Sequence, residues 1–181
     1  DGQFWALTEY GLNSFKPTFD HVATNTVQEP GIAFHRYMLL SDGTMSPGTN
    51  FVRDGLVDRK HRLWLATRGG LQLFNRTTGS STTYRSKSAD PTSLSDDLTQ
   101  AVFEDHSGNI WVGTYSGGVD RLRSEAKPFR VHRHQAGDVN SISEDRIAGL
   151  AFDRAGRLWA ATVNGLNCFD GKRWTRYLHQ P

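Results

Sequence analysis

The sequence predicts an all-β chain assembled from four similar units, and three observations predict it. A motif recurs four times: Asp, a tight turn, apolar, Trp, two small or apolar residues, Thr, a turn with Gly, apolar. It reads DGQFWALTEYGLNSF from Asp1, DRKHRLWLATRGGLQLF from Asp58, DHSGNIWVGTYSGGVDRL from Asp105 and DRAGRLWAATVNGLNCF from Asp153. The tryptophans Trp5, Trp64, Trp111 and Trp159 stand 59, 47 and 48 residues apart, a period of about 47 with an insertion after the first copy. Finally, the segments between turns are short and rich in β-branched and aromatic residues, with no helical periodicity.

Each copy resolves into the same elements. Asp105-His106-Ser107-Gly108 and Asp153-Arg154-Ala155-Gly156 fit four-residue turns, with Asp accepting backbone N–H groups and Gly closing the turn. The apolar runs around Trp111 and Trp159 suit strands buried on both faces. A second turn follows, then a strand such as 165–169. Another apolar run precedes each Asp (98–103, 147–152), and an aromatic one follows the third strand (81–85, 173–177). Four short strands joined by tight turns are the content of one propeller blade. The expected fold is therefore a β-propeller segment of about four blades' worth of four-stranded antiparallel sheets, placed at 1–40 (first strand missing, inserted loop 17–32), 51–86, 98–133 and 147–179.

The pattern resembles the two-component regulator propeller repeat, whose units run Asp-x-x-Gly-x-apolar-Trp-x-Gly-Thr and then Gly-Leu-x-x-Phe. Asp-Pro-Thr-Ser-Leu-Ser at 90–95 and Asn140-Ser141-Ile142-Ser143 resemble the linkers such repeats carry. The resemblance covers nearly the whole chain except residues 17–50. His61 departs from it where the first turn has Gly, as do Ala66 and Ala161 where Gly113 matches. By this resemblance the chain is a non-catalytic sensing segment of a bacterial membrane receptor. The propeller would lie in the periplasm, with a histidine kinase or diguanylate cyclase output inside the cell. Implied partners are the remaining blades of the parent chain, a small-molecule or saccharide ligand and a second copy in a homodimer. Two other readings stay open: a propeller enzyme of the lyase or hydrolase kind, and a protein-interaction scaffold.

Since the chain opens on a turn Asp, further blades are expected, in a ring of about seven. A four-bladed ring closed by a strand from elsewhere is the alternative. The long irregular stretch 17–50, broken by Pro17, Pro30 and Pro47, is expected either to project as a binding insertion or to be a solvated loop.

Composition narrows the function classes. The 181 residues carry a formal net charge of +2, too small to indicate nucleic acid or an anionic membrane surface as partner. No apolar run approaches a membrane span. Cys168 is the single cysteine, so neither an intrachain disulfide nor a cysteine-based metal site is expected, and it reads as a small hydrophobe. No cofactor is expected. The seven histidines are scattered; His132 and His134, two apart, read as a solvated outer-strand pair rather than metal ligands. Nucleophile-elbow, phosphate-loop and zinc-protease motifs are missing. Asp58, Asp105 and Asp153 recur at one turn position and read as structural caps, as Trp5, Trp64, Trp111 and Trp159 read as blade core.

In a propeller the loops after the Trp strands open on the same face as the interblade linkers. That face is expected to carry Glu9 and Tyr10, Arg68, Tyr115 and Ser116, and Val163 and Asn164, a mixed polar and aromatic set suited to small polar ligands. Each also reads as an exposed turn residue. Glu9, Arg68 and Tyr115 stand out because they are larger and more functionalised than a turn requires.

Overall fold

The computed structural model describes residues 2–16, 33–39, 48–123 and 126–178. The inserted stretches 17–32 and 40–47, and Asp1, lie outside them. Among the described residues, fifteen strands form four antiparallel sheets in chain order. The first holds β1 (Phe4–Thr8), β2 (Gly11–Phe15) and β3 (His35–Tyr37). The second holds β4 (Val52–Val57), β5 (Leu63–Thr67), β6 (Gly70–Phe74) and β7 (Ser81–Tyr84). β8 (Thr99–Glu104), β9 (Ile110–Thr114), β10 (Val119–Arg123) and β11 (Ala126–His132) make the third. β12 (Ile147–Phe152), β13 (Leu158–Thr162), β14 (Gly165–Phe169) and β15 (Trp174–Tyr177) make the fourth. Every strand pairs with its sequence neighbour, so each sheet is a meander, and successive sheets stack with β4, β8 and β12 side by side. This is propeller architecture.

The repeated Asp builds the turn that starts each Trp strand. Asp58 Oδ1 accepts the backbone N–H groups of Lys60 and Arg62 at 3.0 and 2.8 Å. Asp105 Oδ1 does the same for Ser107 and Asn109, and Asp153 Oδ1 for Ala155 and Arg157. The turn closes on a left-handed residue: Gly108 at φ 78°, Gly156 at φ 77° and, in the second sheet, His61 at φ 59°. Among the described residues His61 is the one non-glycine with positive φ.

The Trp then sets the packing between sheets. Trp64 and Trp111 are 2% and 3% exposed. Trp64, Ala66 and Leu71 on one face of the second sheet pack against Ile110, Val112, Leu122 and Phe129 of the third. One sheet further on, Trp111 and Val119 meet Leu158, Ala160, Phe169 and Trp174 of the fourth. Leu12 of the first sheet meets Leu63, Leu65 and Phe74 of the second in the same manner, with Trp5 and Tyr37 half-buried beside them. The fourth sheet repeats the Trp face with Trp159, Leu166 and Tyr177, since Leu166 pairs with both Ala161 and Tyr177. Here Leu166 is 41% and Tyr177 51% exposed.

The difference between Gly113 and its counterpart Ala66 has a packing cause. A Cβ there would lie 2.5 Å from Ile147 Cγ2 of the next inner strand. Register places Thr99, not Ile, at the corresponding point beside the second sheet, where Ala66 stands.

One expectation is corrected. His132 and His134 are not a solvated pair: β11 ends at His132, and only His134 is exposed. Pairing puts His132 at the outer-strand position held by Tyr37, Tyr84 and Tyr177 in the other sheets. It stacks on Trp111 with ring centroids 5.6 Å apart and meets Phe169 at 4.8 Å. Burial, with Arg121 and Arg130 nearby, pushes its pKa down to about 4, so it is a neutral ring between two sheets.

Two outcomes are expected. Trp111→Ala removes one of the two buried tryptophans of the third interface and should cost about 3–5 kcal/mol in chemical denaturation. His61→Gly should be neutral or stabilising by roughly 1 kcal/mol, because a left-handed backbone costs a Cβ-bearing residue about that much; a loss of stability would show that the imidazole makes a compensating contact.

Candidate functional site

Three backbone devices, each repeated in consecutive sheets, aim side chains at one place. The first is a bulge. In β4 the register slips between Val52 and Asp54, in β8 between Thr99 and Ala101, and in β12 between Ile147 and Gly149. The skipped residues are Arg53, Gln100 and Ala148. A bulge leaves one residue unpaired and re-aims its side chain. The second device is the Thr that ends each Trp strand. Thr67 Oγ1 donates to Gly70 O at 2.7 Å and accepts from Gly69 N at 3.0 Å, closing the β5–β6 hairpin. Thr114 does the same with Gly118 and Gly117, and Thr162 with Gly165 and Asn164. This fixes the residue after the strand: Arg68, Tyr115 or Val163. The third position immediately precedes the inner strand and holds Phe51, Leu98 or Arg146.

Those positions converge. A cavity of about 620 Å³ is lined by Arg53, Arg68, Leu98, Gln100, Tyr115, Arg146, Ile147, Ala148 and Val163. Arg68 and Tyr115 of the sequence-based set are therefore brought together, with Val163. Glu9 occupies the matching loop position in the first sheet, and neither it nor Tyr10 lines the cavity. Tyr10 is exposed and accepts Arg36 Nη2 on its carbonyl at 3.0 Å. Ser116 donates through N and Oγ to Asp96 Oδ2 at 2.9 and 2.8 Å, an anchor between loop and linker. Asn164 donates its backbone N–H to Thr162 Oγ1 and also stands outside the lining. Sequence reading missed Arg53, Gln100 and Arg146. Their signal was present, a polar residue following or preceding the first apolar residue of an inner strand, but for Arg53 and Gln100 its meaning depends on the bulge.

The cavity is cationic. Arg68 lies over the Phe51 ring with Cζ 3.7 Å from its centroid, and Arg53 meets the same ring at 4.7 Å. Arg146 lies over Tyr115 at 4.4 Å. Among the described residues none of these three guanidiniums is in an ion pair. Nearby carboxylates are engaged elsewhere. Asp54 accepts from Gly55 N and Val102 N, Asp97 accepts Ser86 N and pairs with Arg85, and Asp145 accepts His134 N. No group of three His, Cys, Asp or Glu among the described residues could hold a metal ion.

Beneath the rim, each linker is tied down by a buried polar residue of the third strand. Asn167 accepts Ser143 N at 2.8 Å and donates to Ser143 Oγ at 2.9 Å. Asp120 stands at the same place and accepts both N and Oγ of Ser95 on Oδ2. It is fully buried, with Oδ1 unpartnered. Burial raises its pKa to about 7, against the lowering effect of Ser95 and Arg133.

Comparison with known proteins places this geometry. The profile of the family described as two component regulator propeller matches residues 93–116, which span the Asp120-bound linker Ser95, the Asp105 turn and Trp111. Those 24 residues resemble one two component regulator propeller repeat. The chain as a whole resembles solved structures. The extracellular domain assigned to the hybrid two component system BT3049 of B. thetaiotaomicron is 22% identical at a TM-score of 0.73, over 98% of this chain and 23% of that one. Its counterpart from BT4673 of the same organism is 19% identical at 0.69, over 98% and 20%. Virginiamycin B lyase from Staphylococcus aureus is 11% identical at 0.61, over 98% and 52%. At these identities the likeness is one of fold. The chain thus spans less than a quarter of the two extracellular domains it resembles. No curated protein matches it. No helix among the described residues is long and apolar enough to cross a membrane.

Asp120 generates a pH prediction. Its folded pKa lies above the ordinary carboxylate value, so the folded state holds the proton more tightly than the unfolded one. Its contribution is then most favourable below about pH 4 and is lost as pH rises through about 7. Asp120→Asn should gain in melting temperature over the wild type as pH is raised from 5 to 8, and an unchanged difference across that range would show the carboxylate stays ionised.

Proposed function

We propose that this propeller chain is the ligand-recognising part of a signal-transduction receptor, acting outside the cytoplasm, and that the 620 Å³ cavity is its recognition surface. The observation that carries the reading is the pattern of variation across blades. Three positions per blade gather at the cavity (51, 98 and 146; 53, 100 and 148; 68, 115 and 163), all lining it except Phe51, whose ring lies beneath Arg53 and Arg68. Around them the Asp turns, Thr hairpin locks and bulges are the same, while the nine side chains differ in size, charge and polarity. A rigid frame presenting unlike groups at one mouth has the layout of a binding site. The extracellular domains of two component systems that share this fold support the receptor assignment.

No chemistry is assigned to the chain itself. The cavity offers guanidiniums, a phenol, an amide and aliphatic groups, a set that binds and orients. The lyase likeness rests on the fold, and function belongs to sites rather than folds. The open Trp159, Leu166 and Tyr177 face repeats residue for residue the face that Trp64, Leu71 and Tyr84 bury under the third sheet. Its natural cover is a further blade of the same kind, supplied by the receptor that carries this chain.

The test uses that receptor. Arg68→Ala with Tyr115→Ala should abolish or shift the dose-response of its signalling output while leaving the melting temperature within about 2 °C, since exposed side chains contribute little to stability. Full, unshifted output from the double variant would place recognition elsewhere.

A further inference from the structure

We propose that the ligand of this cavity is a small molecule bearing an oxyanion (carboxylate, sulfate or phosphate), gripped by Arg53, Arg68 and Arg146. The inference rests on the reading of the cavity as the recognition surface and adds the chemical class.

Three observations lead to it. The guanidiniums come from three different backbone devices: the β4 bulge, the β5–β6 loop and the linker entering β12. Two belong to the second sheet and one to the fourth, yet all line one cavity. Like charges gathered this way repel one another. A protein disperses such charges or neutralises them with carboxylates unless something else is to do so. Here, among the described residues, no carboxylate lines the cavity and none pairs with the three arginines. The rim carboxylates Asp54, Asp97 and Asp145 are each committed to backbone N–H groups.

The arginines are also oriented in advance. Phe51 carries two of them and Tyr115 the third, at centroid distances of 3.7, 4.7 and 4.4 Å. Stacking on a ring uses the guanidinium face and leaves its edge of N–H donors free, the edge that binds an oxyanion through paired hydrogen bonds. A neutral ligand would use the hydroxyl and amide of Tyr115 and Gln100 but would leave three positive charges uncompensated. Leu98 and Val163, both exposed on the lining, give an apolar wall for the rest of a compact organic anion. A volume of about 620 Å³ suits a molecule of that size.

The probes are citrate, inorganic sulfate, inorganic phosphate and the matched pair glucuronate and glucose, each titrated into the full 181-residue chain at fixed ionic strength. Side-chain Nε–Hε resonances of arginine are read by NMR. At least one anion should shift the Arg53, Arg68 and Arg146 signals saturably, while those of Arg130 and Arg154 stay still and glucose shifts none. The combined variant R53Q/R68Q/R146Q should weaken that binding at least tenfold with its melting temperature unchanged. Raised salt should weaken the wild type alone, as screening requires. The pattern of responding anions separates carboxylate from sulfate and phosphate. Saturable binding of none of the four anions, or equal binding by the triple variant, overturns the proposal. If that occurs while Arg68→Ala with Tyr115→Ala still abolishes receptor output, the cavity stands as the site and its ligand is neutral. If output survives the double variant, the recognition reading itself has failed.

Discussion

In the second, third and fourth blades the turn Asp and the Trp six residues later are joined by one hydrogen bond, Nε1 to Oδ2, at 2.9, 2.8 and 3.0 Å. The other oxygen of the same carboxylate closes the turn, and Oδ2 also accepts from the side chain of Arg62, Asn109 or Arg157. One group thereby fixes the turn, orients the indole and satisfies its N–H where that ring enters the core. A buried indole left without an acceptor would cost about 1–3 kcal/mol, so the Trp can be deep only because the Asp is there. The carboxylates respond accordingly. Burial pushes Asp58 and Asp105 up, the hydrogen bonds from Trp64, Arg62, Asn109 and Trp111 outweigh it, and both sit below the ordinary value.

What the indole does next determines the geometry of the mouth. With Trp64 and Trp111 each wedged under the following sheet, the stacking of sheets is set from the middle of β5 and β9. The inner strands are then brought side by side, close enough that Gly113 has no room for a Cβ against Ile147. At that spacing a regular inner strand would offer the cavity only every second residue. The bulge between Val52 and Asp54, repeated in β8 and β12, turns the extra residue outward from the ladder instead. Arg53, Gln100 and Ala148 reach the cavity by this means.

Much of the fold was legible because every blade element leaves a local mark: Asp and Gly for the first turn, Trp for the buried strand, Thr and Gly for the hairpin. The period of about 47 residues multiplied those marks by four. The cavity was legible only in part. Arg68 and Tyr115 follow directly from knowing which loop opens on which face. Arg53 and Gln100 do not, since a bulge is a property of two paired strands and cannot be seen in one. His132 misled for a similar reason. Two residues from His134, it resembles half of a surface pair, whereas aligning the copies on their third strands puts it with Tyr37, Tyr84 and Tyr177. Its ring belongs to the Trp111 interface, and the charge a surface histidine would carry is excluded there by burial and two arginines.

The same alignment shows where the blades are free to differ and where they are not. Asp120 and Asn167 hold the same linker serine position, one as an acid and one as an amide, and Ser95 and Ser143 donate to both. Burial raises the Asp120 pKa to about 7, which favours the protonated carboxyl, the form whose neutral shape Asn167 presents outright. That lock anchors the linker from which Leu98 and, one blade on, Arg146 enter the cavity. Variation at 51, 98 and 146 is therefore variation on a fixed stem. An arginine at 146 is held toward the same mouth as the aromatic at 51 and the leucine at 98, and blade-to-blade substitution changes the chemistry of the cavity without moving its walls.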